Sequence, residues 1–342
     1  MKRSLVLLGA VALLVAGCGG SSKSSSQSTT NGSKPGSGKK IGLVTDIGGL
    51  NDRGFNHLSY VGLQRAARVL GVQTMVYQAK STQDYVPNLS TFARQGYALT
   101  IGVGFTEADA IDTAATNFPK SNFAIVDVDQ STEPHKPKNL LGLLFKEQET
   151  GYLVGYLAGL EEKRRPGPDV IGSVGGQKQP PVDRFIAGYQ AGAKAADPGI
   201  KTLNGYSQDF SDQAKCKQVA LNQIEQGAGV IFQVAGGCGL GALDAAKEKH
   251  VWGIGVDADQ SFLGPHILTS AVKRVDTAVY DAIKLVVDGN FKGGNIVFGL
   301  KDNGVDIGKI SPKVPQSEVA KVNQIRADII SGKIKNIPTE VP

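Results

Sequence analysis

Few residues in this sequence suit metal binding or nucleophilic catalysis. Its 342 residues include three cysteines, Cys18, Cys216 and Cys238, and four histidines, His57, His135, His250 and His266. No Cys-x-x-Cys or His-x-x-x-His spacing occurs among them, so no zinc site and no cofactor is expected. The histidines are dispersed, and none sits in a nucleophile motif. No dense aspartate motif follows the first predicted strand, which argues against a nucleoside hydrolase or another metal-assisted enzyme. The stretch Gly236-Gly237-Cys238-Gly239-Leu240-Gly241 does not match Gly-x-Gly-x-x-Gly and has no following Lys-Ser/Thr, so a glycine-rich turn is expected there rather than a phosphate loop. The formal charge is +6, but the positive residues are scattered. The short cluster Lys163-Arg164-Arg165 has no interleaved aromatics; it reads as a solvated loop, and no nucleic-acid partner is expected.

The N-terminus carries a different kind of signal. Lys2 and Arg3 precede an apolar run from Leu5 to Ala16 that ends Val15-Ala16-Gly17-Cys18. Two cations, a short apolar stretch and small residues make a secretory signal over 1–17. The run is shorter than the ~20 residues that span a bilayer core. The Val15–Cys18 ending resembles a lipobox, so Cys18 is expected to become a lipidated N-terminus. Residues 18–39 are almost all Ser, Gly, Lys, Gln, Thr and Asn; they read as a flexible tether, because they have little apolar surface to offset the entropy of ordering. Lipid and tether together hold a folded body at the extracytoplasmic face of a membrane without insertion.

About 300 residues follow the tether, more than one core usually serves. β-Rich apolar runs at 41–45, 74–77, 99–103, 123–128, 170–174, 230–234 and 252–256 alternate with helix-length amphipathic stretches. That alternation predicts parallel sheets covered by helices on both faces. The reading is an α/β chain of two doubly wound parallel-sheet lobes joined by a hinge. Residues 40–145 and about 267–295 are expected in the first lobe, and 146–266 and about 296–342 in the second. A C-terminal helix is expected over 317–331.

Ligands of open parallel sheets bind beyond the carboxyl ends of the strands. Those ends carry Asp46, then Asp52 and Phe55-Asn56; Gly104-Phe105-Thr106; Asp127; Gly175-Gly176 with Phe185 on the next helix; Gly236-Gly237; Asp257; and Lys273. Carboxylates and an ammonium beside glycines suit the hydroxyls and ring nitrogens of a neutral polar solute. Phe55 and Phe185, one per lobe, are placed to clamp a planar ring. Taken singly, Asp46, Asp52 and Asp127 also suit helix capping.

At these positions the chain resembles the basic membrane lipoprotein family, in its purine nucleoside receptor branch. The resemblance spans residues 40 to about 310. It is carried by Val44-Thr45-Asp46 with Asp52-x-x-Phe55-Asn56, by Ile125-Val126-Asp127, and by Val174-Gly175-Gly176 with Pro181-Val182-x-x-Phe185-x-x-Gly188-Tyr189. Ala235-Gly236-Gly237-x-Gly239, Gly255-Val256-Asp257-x-Asp259-Gln260 and Thr269-Ser270-x-x-Lys273-Arg274-Val275-Asp276 complete it. The resemblance implies a type I periplasmic-binding-protein fold and a receptor that hands its ligand to the permease of an ABC importer. It implies a purine between Phe55 and Phe185, with Asn56 and Asp127 on base edges and Asp46, Gly236, Asp257 and Lys273 on base or ribose. A sugar or another small polar solute, or a surface adhesin or sensor, are the alternative functions. The chain departs from the family pattern at Gly54, where Ser is common, and at Cys216 and Cys238. The two cysteine departures compensate each other if the positions touch, so a Cys216–Cys238 disulfide is expected.

Replacing Cys18 by Ala is expected to move the protein from the membrane fraction to the soluble fraction. Complete membrane partition of the Cys18→Ala protein would refute lipidation at this residue.

Overall fold

The computed structural model describes residues 34–341. The signal at 1–17, Cys18 and most of the expected tether lie outside the described residues. From there the chain alternates strand and helix: β1 (Lys40–Thr45), α1 (Phe55–Leu70), β2 (Gln73–Gln78), α2 (Tyr85–Arg94), β3 (Leu99–Val103), α3 (Ala108–Asn117), β4 (Phe123–Val126) and β5 (Leu140–Phe145). Then come α4 (Glu147–Arg164), β6 (Val170–Gly175), α5 (Pro180–Ala196), β7 (Lys201–Tyr206), α6 (Gln213–Glu225), β8 (Val230–Val234), α7 (Gly239–Glu248) and β9 (Trp252–Asp257). The chain ends with β10 (Ile267–Lys273), α8 (Val275–Val287), β11 (Gly294–Phe298), β12 (Val305–Ile307) and α9 (Gln316–Ile330). No helix among the described residues is long and apolar enough to cross a membrane.

Two six-stranded sheets form, in the orders β11-β5-β4-β3-β1-β2 and β12-β10-β9-β8-β6-β7. Pairing is parallel throughout except between β10 and β12. Strands β3, β4 and β8 are buried along their whole length, as expected where helices cover both faces. Helix α1 shows how one covering element is specified. Its buried residues Ser59, Gly62, Leu63, Ala66 and Leu70 recur at three- and four-residue spacing, and Gly71 ends it in the left-handed conformation, φ 79°. Helices α4 and α5 pack closer than side chains would allow. A Cβ on Gly155 would stand 2.0 Å from the Tyr189 carbonyl, and one on Gly192 2.0 Å from that of Tyr152.

The chain passes between the sheets three times: from β5 to α4, from β10 to α8, and from β11 to β12. Backbone bonds tie two of the crossings to their neighbours, Lys146 N–H to the Phe298 carbonyl at 2.9 Å and Arg274 N–H to the Gly304 carbonyl at 2.8 Å. This corrects the lobe boundaries read from the sequence. Strand β10, assigned there to the first lobe, pairs with β9 in the second sheet, and β11 beyond it belongs to the first. The reading was misled because β9 reaches its parallel neighbour by a short loop, where a helical crossover is the usual link. Residues 34–39 also differ from the tether expected there: Gly36 is buried, with its N–H on the Leu70 carbonyl at 2.7 Å, and Lys39 accepts from Gln73 N–H. Backbone hydrogen bonds hold this segment, which side-chain composition does not reveal.

Cys216, in the first turn of α6, and Cys238, just before α7, are disulfide-bonded with their Cα atoms 5.6 Å apart. The bond closes a loop of 22 residues and draws the start of α6 against the glycine-rich turn after β8. The chain-entropy model gives such a loop about 3 kcal/mol. The Cys216→Ser, Cys238→Ser protein is therefore expected to lose about that much stability, with a lower urea midpoint and a steeper slope because its unfolded chain is less constrained. Equal midpoints for oxidised and double-mutant protein would show that the bond adds no stability.

Candidate functional site

The carboxyl ends of β1, β3 and β4 in one sheet and of β8, β9 and β10 in the other, with the first turns of α1 and α5, border a single cleft. It encloses about 620 Å³ of empty space, solvent at its mouth included. All eight residues singled out from the sequence lie on its wall: Asp46, Phe55, Asn56, Asp127, Phe185, Gly236, Asp257 and Lys273. The lobes approach closely around it. A Cβ on Gly54 would lie 3.5 Å from Asp257 Oδ2, and one on Gly237 4.0 Å from Asp52 Cα. Among the described residues no group of three His, Cys, Asp or Glu side chains is arranged to hold a metal ion.

The loop from β1 to α1 arranges the first wall. Asp46 Oδ1 accepts from Gly48 N–H at 2.8 Å and from the Asn56 amide at 2.6 Å. This fixes which face Asn56 shows and leaves Asn56 Oδ1 buried with no donor. Asp52 caps α1, accepting from the N–H groups of Gly54, Asn56 and His57 at 3.0, 2.7 and 3.1 Å. So of the aspartates that suited capping, Asp52 is the helix cap, while Asp46 organises its own loop. Phe55, the first helical residue, is half-buried with its ring toward the cleft.

Asp127 and Asp257 hold equivalent places, each ending a central strand, one in each sheet. Both have left-handed backbone, φ 68° and 63°, a conformation that aspartate tolerates better than most residues but that still carries strain. Lys273, at the end of β10, meets them from the hinge. Its side chain is 2% exposed; Nζ lies 2.6 Å from Asp127 Oδ2 and 3.0 Å from Glu147 Oε1. Glu147 opens α4 and is fully buried, with Arg184 3.7 Å from its other oxygen. Burial opposes the charge on Lys273, but Asp127, Glu147 and Asp257 outweigh it and hold its pKa above the ordinary lysine value. Burial raises Asp257 from 3.8 to about 7, with Lys273 pulling the other way. Burial likewise raises Glu147 to about 7, and Asp46 to about 6 against the hydrogen bonds from Asn56 and Gly48. Asp127 Oδ1 stays buried without a donor.

Aromatic rings supply the apolar surface. Lys273 Nζ lies 5.2 Å from the Phe55 centroid and 5.7 Å from that of Phe185, so the two rings selected from sequence lie near one point. Phe185 is 2% exposed and edge-on to Phe232, which makes it part of the second lobe's core as well as of the wall. Two further rings, Phe105 and Phe210, line the cleft and meet each other edge to face at 5.7 Å. Sequence reasoning misses Phe210 because β7, Lys-Thr-Leu-Asn-Gly-Tyr, has no continuous apolar run to mark the loop after it as a strand end. It misses Glu147 because an acid in a helix's first turn is ordinary; only its burial beside Lys273 marks it.

The family described as ABC transporter substrate-binding protein PnrA-like matches residues 39–339. The ABC transporter nucleoside-binding protein BmpA of Lactococcus lactis subsp. cremoris is 36% identical, over 98% of this chain and 99% of its own length. A protein of Pyrococcus horikoshii described as an uncharacterized lipoprotein is 35% identical, over 99% of this chain and 89% of its own. A crystal structure of an ABC transporter solute-binding protein from Aeropyrum pernix superposes with a TM-score of 0.79 at 28% identity, covering 88% of this chain and 94% of that one.

The raised pKa of Asp257 has a consequence for stability. A carboxyl group with a higher pKa folded than unfolded favours the fold most below its unfolded pKa, and that contribution is lost as pH rises through the folded one. Wild-type protein is therefore expected to lose stability relative to Asp257→Asn between about pH 4 and pH 7. Urea unfolding of the two ligand-stripped proteins across this range measures it. A difference that does not change with pH would show that burial leaves Asp257 unperturbed.

Proposed function

We propose that this chain, which belongs to the family of PnrA-like ABC transporter substrate-binding proteins, captures a purine nucleoside outside the cytoplasm and delivers it to the permease of an ABC importer. The observation that carries this reading is the cleft itself, where aromatic walls meet buried acceptors. A flat base fits against Phe55, with Phe185 and Phe210 as the opposing wall. Asn56 Oδ1 and Asp127 Oδ1 lie buried without donors, and a base with N–H groups on its edge would supply them. Asp257, Lys273, Asp46 and the Gly236 backbone are left for further base contacts and for ribose hydroxyls. The name of the Lactococcus relative supports a nucleoside as ligand.

Residence at the membrane brings a receptor close to its permease. The lipobox-like ending at Cys18 and the polar segment after it support a lipid anchor, as does the description of the Pyrococcus relative as a lipoprotein. Binding rather than turnover is the role of this site. Its acids are engaged in a helix cap, an amide contact or the Lys273 cluster, and none is paired with a nucleophile.

Calorimetry on ligand-stripped protein against guanosine, inosine, adenosine, cytidine, ribose and glucose tests the reading. A purine nucleoside is expected to bind tightest. Stacking on one ring contributes about 1–3 kcal/mol, so Phe55→Ala and Phe210→Ala are each expected to lose roughly tenfold or more in affinity. Phe185→Ala is expected to lose stability as well, because its ring is core. Tight glucose or ribose binding with no nucleoside signal would make the protein a sugar receptor instead.

A further inference from the structure

In α/β proteins phosphate groups are held by backbone N–H groups at helix N-termini and by unpaired basic side chains. At the starts of α1, α5 and α7 around this cleft those groups are taken or absent, while the Gly236 and Gly237 amides, in the turn before α7, bond to no backbone carbonyl among the described residues. Helix α1 points its first turn at the cleft, and the Asp52 carboxylate occupies its Gly54, Asn56 and His57 amides. Helix α5 begins Pro180-Pro181, two residues with no N–H to offer. Helix α4 begins at Glu147, a buried acid. At the start of α7 the Cys238, Gly239, Leu240 and Gly241 amides bond to backbone carbonyls.

Charge points the same way. Asp46, Asp52, Asp127 and Asp257 line the cleft, with Lys273 as the one cation among its lining residues. Its ammonium is shared by Asp127 at 2.6 Å and Glu147 at 3.0 Å. The buried polar atoms left over on the lining residues Asn56 and Asp127 are both acceptors. A ligand that satisfies them brings N–H and O–H donors. A phosphate would bring only more acceptors and negative charge to a site already rich in both, with little water to screen it.

We propose that this cleft excludes anions, so that it takes a nucleoside and refuses the nucleoside 5′-monophosphate, with Asp52 as a specificity-determining residue that occupies the phosphate position of α1. The proposal rests on the nucleoside reading for its main ligand, but the exclusion applies to any sugar-like solute. It is tested by calorimetry on refolded, ligand-stripped protein with three pairs: guanosine and guanosine 5′-monophosphate, ribose and ribose 5-phosphate, glucose and glucose 6-phosphate. The phosphorylated member is expected to bind roughly 100-fold or more weakly than its partner, since like-charge juxtaposition in a buried site is strongly disfavoured. Asp52→Asn keeps one of the two acceptor oxygens for the first turn of α1 and removes the charge; it is expected to narrow that gap about tenfold, with helix content by circular dichroism unchanged. A phosphorylated ligand within tenfold of its partner in wild-type protein would overturn the exclusion. An unchanged gap in a folded Asp52→Asn protein would overturn the role of Asp52. If ribose or glucose binds without its phosphate ester and guanosine does not bind, the exclusion stands and the nucleoside reading falls.

Discussion

The buried ammonium of Lys273 is the constraint on which the site depends. An unpaired charge at 2% exposure is untenable, so acids must surround it. Asp127 comes from the end of a strand in the first sheet, Glu147 from the start of a helix packed on the second, and Asp257 from the end of a strand in the second. Lys273 itself ends β10, immediately before the chain crosses back to the first lobe. One cation therefore links both sheets and two of the three crossings. Breaking one partner of such a buried set typically costs about 3–5 kcal/mol, because the remaining charge is stranded. The residues that would meet a ligand are thus also residues that hold the lobes in register.

The same arrangement explains why the carboxylates sit at unusual pKa values. Asp257 and Glu147 both draw on Lys273, which Asp127 holds at the shortest distance, and Glu147 has only Arg184 at 3.7 Å besides. Asp46 has no cation and relies on Asn56 and Gly48. Asp46, Glu147 and Asp257 are each buried more fully than their partners compensate. Left-handed backbone at Asp127 and Asp257 adds local strain at both strand ends. Sites of this kind favour a specific ligand over a tightly packed core, and the surrounding sheets supply the stability they give up.

Much of this was legible in the sequence, for physical reasons. Parallel strands buried on both faces must be continuous apolar runs, so β1, β3, β4, β6, β8 and β9 stood out. Ligand sites in such sheets lie beyond strand ends, so the wall residues of those six strands could be collected before the fold was known. The strands that escaped were at sheet edges: β7 is half exposed and polar, and β12 has three residues. With β7 went Phe210, which lies in the loop after it. The assignment of β10 to its sheet depends on a pairing between distant segments that no local pattern encodes. The pairing of Cys216 with Cys238 was accessible only because both depart from a family pattern, since spacing alone leaves bonded and free thiols equally open.

The late crossings also set an order of assembly. The first lobe begins at Lys40, yet two of its parts come from the far end of the chain. Helix α8 covers α1, where a Cβ on Gly62 would stand 2.4 Å from the Asp276 carbonyl, and β11 supplies the edge partner of β5. On a chain synthesised from its N-terminus, these faces stay bare until nearly all of it has emerged. The second sheet gathers β6 to β10 from one uninterrupted stretch and has no such wait, apart from its short β12 edge. The first lobe therefore depends on segments far from it in sequence, whereas most of the second sheet is gathered from one stretch, with β12 and α9 added last.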